Sequence, residues 1–523
     1  MEILYLWIEK YRNIKNQGFN FSPRYCFNFD FNGKKFSYKD KGEEYIKDYF
    51  EGNVRNVTAV VGRNGVGKSN LLEYILRMRM KDCNYLYVID YHEKKDILIE
   101  TNFEFTNQTI FKVKQNSLED IPIITYSNIL DYSQSEFDDP DAYHQGLYLE
   151  KYENLRLNYL MKFQPFYRKN LLDQIYFVLN KSKFKVTFNI PQYLRISNRN
   201  IINTHIGGMD ISYKFLIDKI RVFKGSKEDE FFIKLKGDII HCLIMLDVAN
   251  NGDLISDELN ALLKKHFKNK KKLLDENIFD SIDSFLIAYN EPVSQKVNLL
   301  IGKLSLLISK RIIEIGEYLS FIVKDETFSY LVEIIDLLNN TIDVSTRHFI
   351  IFNWSGMSTG EYMMLSIYSR FYSVRDKVNT IKEKSLLILI DEGEIGFHPE
   401  WQRTFLNYLI DFLPQIYLDK QIQIILATHS PFLISDLPNE NIIFLDEGEN
   451  GTENEGNCIV VNGLKDIKQT FASNIHTLLS DNFFLDKGLI GEFAKNKILT
   501  IMQDLDQENK KKPSDERLDQ IKK

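Results

Sequence analysis

The chain has 523 residues, too many for one simple core, and its 44 % apolar and 27 % charged residues fit a folded globular protein. A net charge of −7 excludes nucleic-acid binding through the overall field and leaves it to local patches. No run of about 18 uncharged apolar residues exists to span a membrane.

The N-terminus, MEILYLWIEKYRNIK, starts like a strand and lacks the basic start and apolar run of a secretion signal. The four cysteines (Cys26, Cys83, Cys242, Cys458) form no CxxC pair, so the expected setting is the reducing cytoplasm, without a zinc site. Residues 1–134 read as mixed β, then α/β. Strands are predicted over 1–8, 25–31 and 57–61, then a glycine-rich loop and a helix over 68–80, then strands over 85–89, 103–106 and 121–126. Residues 135–345 open on the acidic turn SEFDDPDAYH and read mainly helical. Leu300, Leu304, Leu307, Ile308, Ile312, Ile315, Leu319 and Ile322 recur at helical spacing, which predicts one amphipathic helix over 300–322. One strand-like stretch, FKVTFNIPQYLRIS, interrupts this insertion. Over 346–500 the α/β pattern returns. HFIIFNW reads as a strand, and the apolar runs 386–390 and 422–427 suit parallel strands buried on both faces. Residues 501–523 form a charged tail expected to fray. The fold class is therefore α/β, a P-loop head interrupted by a large, mainly helical insertion.

Four motifs carry the chemistry. Gly62-Arg-Asn-Gly-Val-Gly67-Lys68-Ser69 follows the apolar strand VTAVV and opens a helix, which is the context a phosphate-binding P-loop requires. Asn64, Gly65 and Gly67, with Lys68, Ser69 and Asn70 at the helix start, form the candidate cradle for ATP. Lys68 is expected to reach the β/γ-phosphates and Ser69 to ligate Mg²⁺. The run LLILI ends in Asp391 and Glu392, placing two carboxylates at a strand's carboxyl end, where α/β sheets bind ligands. Asp391 suits Mg²⁺, and Glu392 suits the water that attacks phosphorus. Ser358, Gly360 and Glu361 start a helix 33 residues before Asp391, as an anion-binding end or as an ordinary cap. His429, in LATHSP, either meets the γ-phosphate or merely stands in a capped strand end.

The order P-loop, SxGE, apolar-DE, apolar-THS resembles that of the ABC ATPase family. MSTGE looks like its LSGGQ signature, DEGEIGFHP like its Walker B strand and loop, and His429 like its switch histidine. The resemblance implies a head-to-tail homodimer with two ATP molecules held between P-loop and signature. Two departures stand out. The family's glutamine loop has only Gln134 as a candidate Mg²⁺ contact. Gly393 replaces the proline often found after the catalytic glutamate, and a glycine there is expected to loosen the loop and slow hydrolysis.

The gap of 291 residues between Gly67 and Ser358 resembles the SMC/RecF-like branch of the family. Arg12 matches a basic position of that branch that approaches nucleotide; a solvated arginine after the first strand is the alternative. OLD-type nucleases share the motifs, but the 94 residues after His429 are too few for their Toprim domain. His144, His205, His241 and His266 read as isolated, so no built-in metal nuclease is expected. The segment 470–498, with Phe471, His476, Leu479, Phe483, Phe484, Gly488 and Gly491, resembles the C-terminal stretch of Septu-type anti-phage ATPases (PtuA). That resemblance implies an HNH nuclease partner (PtuB); the plainer reading is a helical cover over the second lobe. Lys264, Lys265, Lys268, Lys270, Lys271 and Lys272 form either a nucleic-acid patch or a solvated helix end. The expectation is an ATP-hydrolysing dimer that regulates a nuclease in bacterial anti-phage defence. The alternatives are a DNA-repair or SMC-like ATPase acting on DNA, a nucleotide-binding scaffold with little turnover, and a transporter ATPase.

Overall fold

The computed structural model describes residues 1–42, 45–46, 49–77, 83–91, 96–104, 111–115, 121–127, 152–154, 163–198, 211–251, 255–267, 277–316, 318–341, 350–449, 451–452, 454–461, 469–480 and 492–508. Gln134, the SEFDDPDAYH turn, His144, His205, Lys268, Lys270, Lys271, Lys272, Phe483, Phe484, Gly488, Gly491 and the end of the tail lie outside them.

The strands are β1 (Glu2–Tyr11), β2 (Ile14–Asn20), β3 (Tyr25–Asp30), β4 (Lys35–Asp40), β5 (Val54–Gly62), β6 (Tyr85–Tyr91), β7 (Asp96–Thr101), β8 (Lys112–Gln115), β9 (Ile123–Ser127) and β10 (Tyr152–Asn154). They continue with β11 (Tyr193–Asn198), β12 (Ile313–Ile315), β13 (Leu319–Ile322), β14 (Ile350–Trp354), β15 (Ser385–Asp391), β16 (Gln421–Thr428), β17 (Ile442–Glu447) and β18 (Cys458–Val461). Twelve of them form one sheet in the order β10-β9-β15-β16-β5-β17-β18-β2-β1-β6-β7-β8. From β10 to β17 every pairing is parallel. The apolar runs explain this. Leu386, Ile388 and Ile390 of β15 enter one core while Leu387 and Leu389 enter the other, so both faces are covered. The register sets Asp391 beside Ala427 and Thr428 beside Val61, which aligns three strand ends at one edge.

Helix α1 (Lys68–Leu76) starts at this edge, directly after β5. The insertion supplies α2 (Phe163–Asn180), α3 (Ile211–Val222), α4 (Lys227–Asn250), α5 (Asp257–Phe267), α6 (Ile278–Tyr289), α7 (Glu291–Ser309) and α8 (Asp325–Thr341). The second lobe supplies α9 (Thr359–Ser373), α10 (Arg375–Thr380), α11 (Pro399–Ile416) and α12 (Pro431–Ser435). The chain continues with α13 (Ile475–Ser480) and α14 (Glu492–Glu508). No helix among the described residues is long and apolar enough to cross a membrane.

The structure corrects several predicted elements. The helix expected over 300–322 stops at Ser309, because Arg311 takes a left-handed backbone at φ 58° and a β-hairpin follows. Beyond that turn Ile313 pairs with Phe321, both buried, so the apolar residues continue at strand spacing. Of the strand expected over 103–106, residues 103 and 104 lie outside any strand, after the end of β7, and 105–106 fall outside the described residues. Phe103 instead packs edge-on to Trp7 and stacks with Phe29. The strand-like stretch in the insertion forms a strand only over β11. That strand pairs with β14 of the second lobe, in a four-stranded sheet of order β12-β13-β11-β14. Helix α2 likewise packs on α9: Trp354 Nε1 donates to Gln174 Oε1 at 2.8 Å, and Phe177 meets Tyr368 and Tyr372 edge-on. Helix α2 of the insertion and the second lobe therefore share one core. His241 Nδ1 lies 2.6 Å from Tyr213 Oη in the insertion's interior, and among the described residues no cluster of metal-ligating side chains surrounds it. His266 packs edge-on to the Phe285 ring.

Candidate nucleotide site

The loop after β5 turns because Gly65 and Gly67 take positive φ, 83° and 114°, where a side chain is strained. Asn64 and Gly65 are exposed at the tip. Lys68, 5 % exposed, donates from Nζ to Gly62 O and Arg63 O, each at 3.0 Å, folding its ammonium into the loop. Burial pushes the Lys68 ammonium pKa down, while the charges of Glu392, Asp391 and Glu394 push it up. Ser69 Oγ donates to Asp391 Oδ1 at 3.2 Å. A hydroxyl and a carboxylate so placed are hard oxygen donors of the kind Mg²⁺ takes.

The β1–β2 turn leans on this loop. Asn13 Nδ2 donates to Gly65 O at 3.2 Å, and Asn70 Nδ2 donates to Asn13 Oδ1 at 2.8 Å. Arg12, itself at φ 50°, donates to Asn70 Oδ1 and pairs with the buried Glu73 at 2.7 Å; Arg77 binds the same carboxylate at 2.9 Å. Arg12 is thus no free solvated arginine. It ties the first hairpin to α1 beside Ser69.

Glu392 follows β15 at φ 51°, anchored by its N–H to Ala427 O at 2.9 Å. His429 Nε2 lies 3.4 Å from Glu392 Oε1, longer than a well-formed hydrogen bond. The His429 side chain, followed by burial acting the other way, holds the Glu392 carboxyl below its ordinary range. The edge thus gathers Lys68, Ser69, Asp391, Glu392 and His429 from β5, β15 and β16.

Ser358, Gly360 and Glu361 stand elsewhere, at the start of α9. Glu361 N donates to Ser358 Oγ at 3.3 Å, and Ser358 N donates to Glu361 Oε2 at 2.8 Å, a reciprocal cap. A Cβ on Gly360 would overlap the Trp401 indole of α11. Gly393 is not a loosening residue. A Cβ there would lie 2.6 Å from Ile390 Cγ2 and 3.2 Å from Phe405 Cζ, so close packing requires the glycine. Glu394, 3 % exposed, was not singled out from the sequence, although the run DEGE displays it as a third acid. Asn13 and Trp401 carried no sequence signal, because their contacts join segments far apart in the chain.

Fold and edge together define a P-loop ATPase. The chain belongs to the AAA ATPase domain family, whose family model matches residues 44–434. It is similar to the retron Vc95 probable ATPase of Vibrio cholerae serotype O1 biovar El Tor, 30 % identical over 114 residues. That match covers 21 % of this chain and 20 % of the relative, so the chain spans about a fifth of its length. A solved structure of the recombination mediator protein RecF-ATPrS of the RecFOR pathway aligns with 88 % of this chain and 98 % of its own, at 13 % identity and a TM-score of 0.24.

Proposed function

We propose that the chain binds and hydrolyses ATP, closes a homodimer around two nucleotides and thereby controls a nuclease partner in anti-phage defence. The observation that carries the hydrolytic part is the 3.2 Å bond between Ser69 and Asp391, with Glu392 next in sequence and His429 beside it. Lys68 and the loop amides bind the β/γ-phosphates. Ser69 and Asp391 hold Mg²⁺, which supplies charge neutralisation on the phosphates. Glu392, kept ionised by His429, orients the attacking water and takes its proton. His429 meets the γ-phosphate. Arg12 and Asn70 brace the cradle. Ser358, Gly360 and Glu361 serve the nucleotide of the second copy. Turnover by wild type, Lys68→Ala and Glu392→Gln in the presence of Mg²⁺ tests this reading. Lys68→Ala should lose ATP binding, and Glu392→Gln should bind ATP without turnover. Wild-type turnover in Glu392→Gln removes the role of that acid.

The defence part rests on the 470–498 resemblance and on the retron name of the similar protein. The neighbouring genes should include one for a small HNH protein, and co-expression of that protein with the tagged chain should give one co-eluting complex. Separate elution at every nucleotide state sinks the nuclease part and leaves the hydrolytic part standing.

A further inference from the structure

The buried Glu394 has no part in the chemistry above, yet it sits between the two residues proposed to contact water and phosphate. Its Oε1 accepts a hydrogen bond from Oγ1 of Thr428, the residue before His429. Thr428 Oγ1 in turn accepts the N–H of Ser430 at 2.9 Å. Ser430 Oγ donates to Gln402 Oε1 at 2.9 Å, and Gln402 Nε2 donates to Phe397 O at 3.1 Å. These bonds form a circuit. They leave the loop after β15 at Glu394, cross the end of β16, pass through the first turn of α11 and return to the same loop at Phe397. His429 lies within it, held between Thr428 and Ser430, with its ring 3.4 Å from Glu392.

A carboxyl group this deeply buried is costly unless its oxygens are bonded, and its side-chain partner here, Thr428, opens the switch turn. We infer that Glu394 and Thr428 are positioning residues, which hold His429 against Glu392 in the hydrolytic geometry. The inference rests on the reading of this edge as a hydrolytic site. Thr428 is the more informative member. Valine keeps its shape and removes the hydroxyl, leaving Glu394 and the Ser430 N–H each short of a partner, whereas serine keeps the hydroxyl.

Steady-state turnover of wild type, Glu394→Ala, Thr428→Val and Thr428→Ser is compared with equilibrium ATP binding and thermal unfolding. A displacement near 1 Å at a reacting group costs about a hundredfold, so kcat should fall between about tenfold and a hundredfold in Glu394→Ala and Thr428→Val. KM and bound ATP per chain should stay within about twofold of wild type, because the P-loop is untouched, and Thr428→Ser should restore kcat to within about twofold. Where Glu394→Ala fails to fold, the threonine pair decides. Wild-type kcat in a folded Thr428→Val overturns the positioning role alone. Equal loss of bound ATP and of kcat in that variant also overturns it, since that is the mark of a structural defect. Absence of turnover in the wild type overturns the positioning role together with the hydrolytic reading.

Discussion

Lys68 and Ser69 are neighbours in the chain, and the sheet is what brings Asp391 to them. Ser69 and Asp391 share one bond at 3.2 Å, so removing either should act like removing both. Ser69→Ala and Asp391→Asn are each expected to lower turnover by about a hundredfold or more, with the double variant no worse than the weaker single. A Mg²⁺ titration of the three proteins reads this, and additive losses would dismiss the shared metal. A second residue carries a stability signature. Asp173 of α2 is pushed up to about 6, chiefly by burial, with Lys169 acting the other way. An acid whose folded pKa is raised favours the folded state while protonated, and that contribution is lost as pH rises from the ordinary carboxyl range through about 6. Asp173→Asn should therefore raise the melting temperature at pH 8, by a stabilisation on the order of 1–2 kcal/mol, with the gain gone near pH 4. Melting curves at the two pH values check it, and an equal gain at both would refute the burial argument.

At the scale of elements, glycines decide two helix approaches. Gly360 opens α9 under the Trp401 indole of α11, and Gly393 lets the acidic loop lie against Ile390 and Phe405. Gly360→Ala is expected to destabilise by about 1–3 kcal/mol, the range for overpacking a tight contact, and Trp401→Ala should relieve part of that cost. A double-mutant cycle of melting temperatures tests the pairing, and full additivity would contradict it. Gly393→Ala is expected to cost a similar amount, about 1–3 kcal/mol, and not to rigidify the loop. The P-loop helix, β15 and β16 were legible because each is specified locally: a strand's apolar run, then a charged or glycine-rich end. The reading of 300–322 as one helix failed where Arg311 turns left-handed, since spacing by three and four and spacing by two overlap in the short run after it.

At the scale of the whole molecule, Ser358 and Glu361 cap each other at the start of α9, away from the bonds that bind Ser69 and Asp391. Under the dimer reading, that cap faces the nucleotide of a second copy. Glu392→Gln with ATP and Mg²⁺ should then elute at twice the monomer mass in light scattering, and adding Ser358→Arg should return it to monomer. A Glu392→Gln protein that stays monomeric with saturating ATP rules the dimer out. The insertion is not a free appendage to this machine. Strand β11 completes a sheet with β14, and α2 covers α9, so the signature helix is braced by residues from the middle of the chain.

The sequence by itself determined which residues the edge carries and the order in which they arrive. Phosphate cradling, paired acids and a terminal histidine each need particular residue types at short spacing, and short spacing is written in the chain. Tertiary structure alone decided the rest. Glu394 on Thr428, Arg12 on the buried Glu73 and Trp401 over Gly360 are contacts between segments tens of residues apart. Such contacts are fixed by sheet register and packing density, which no local pattern encodes.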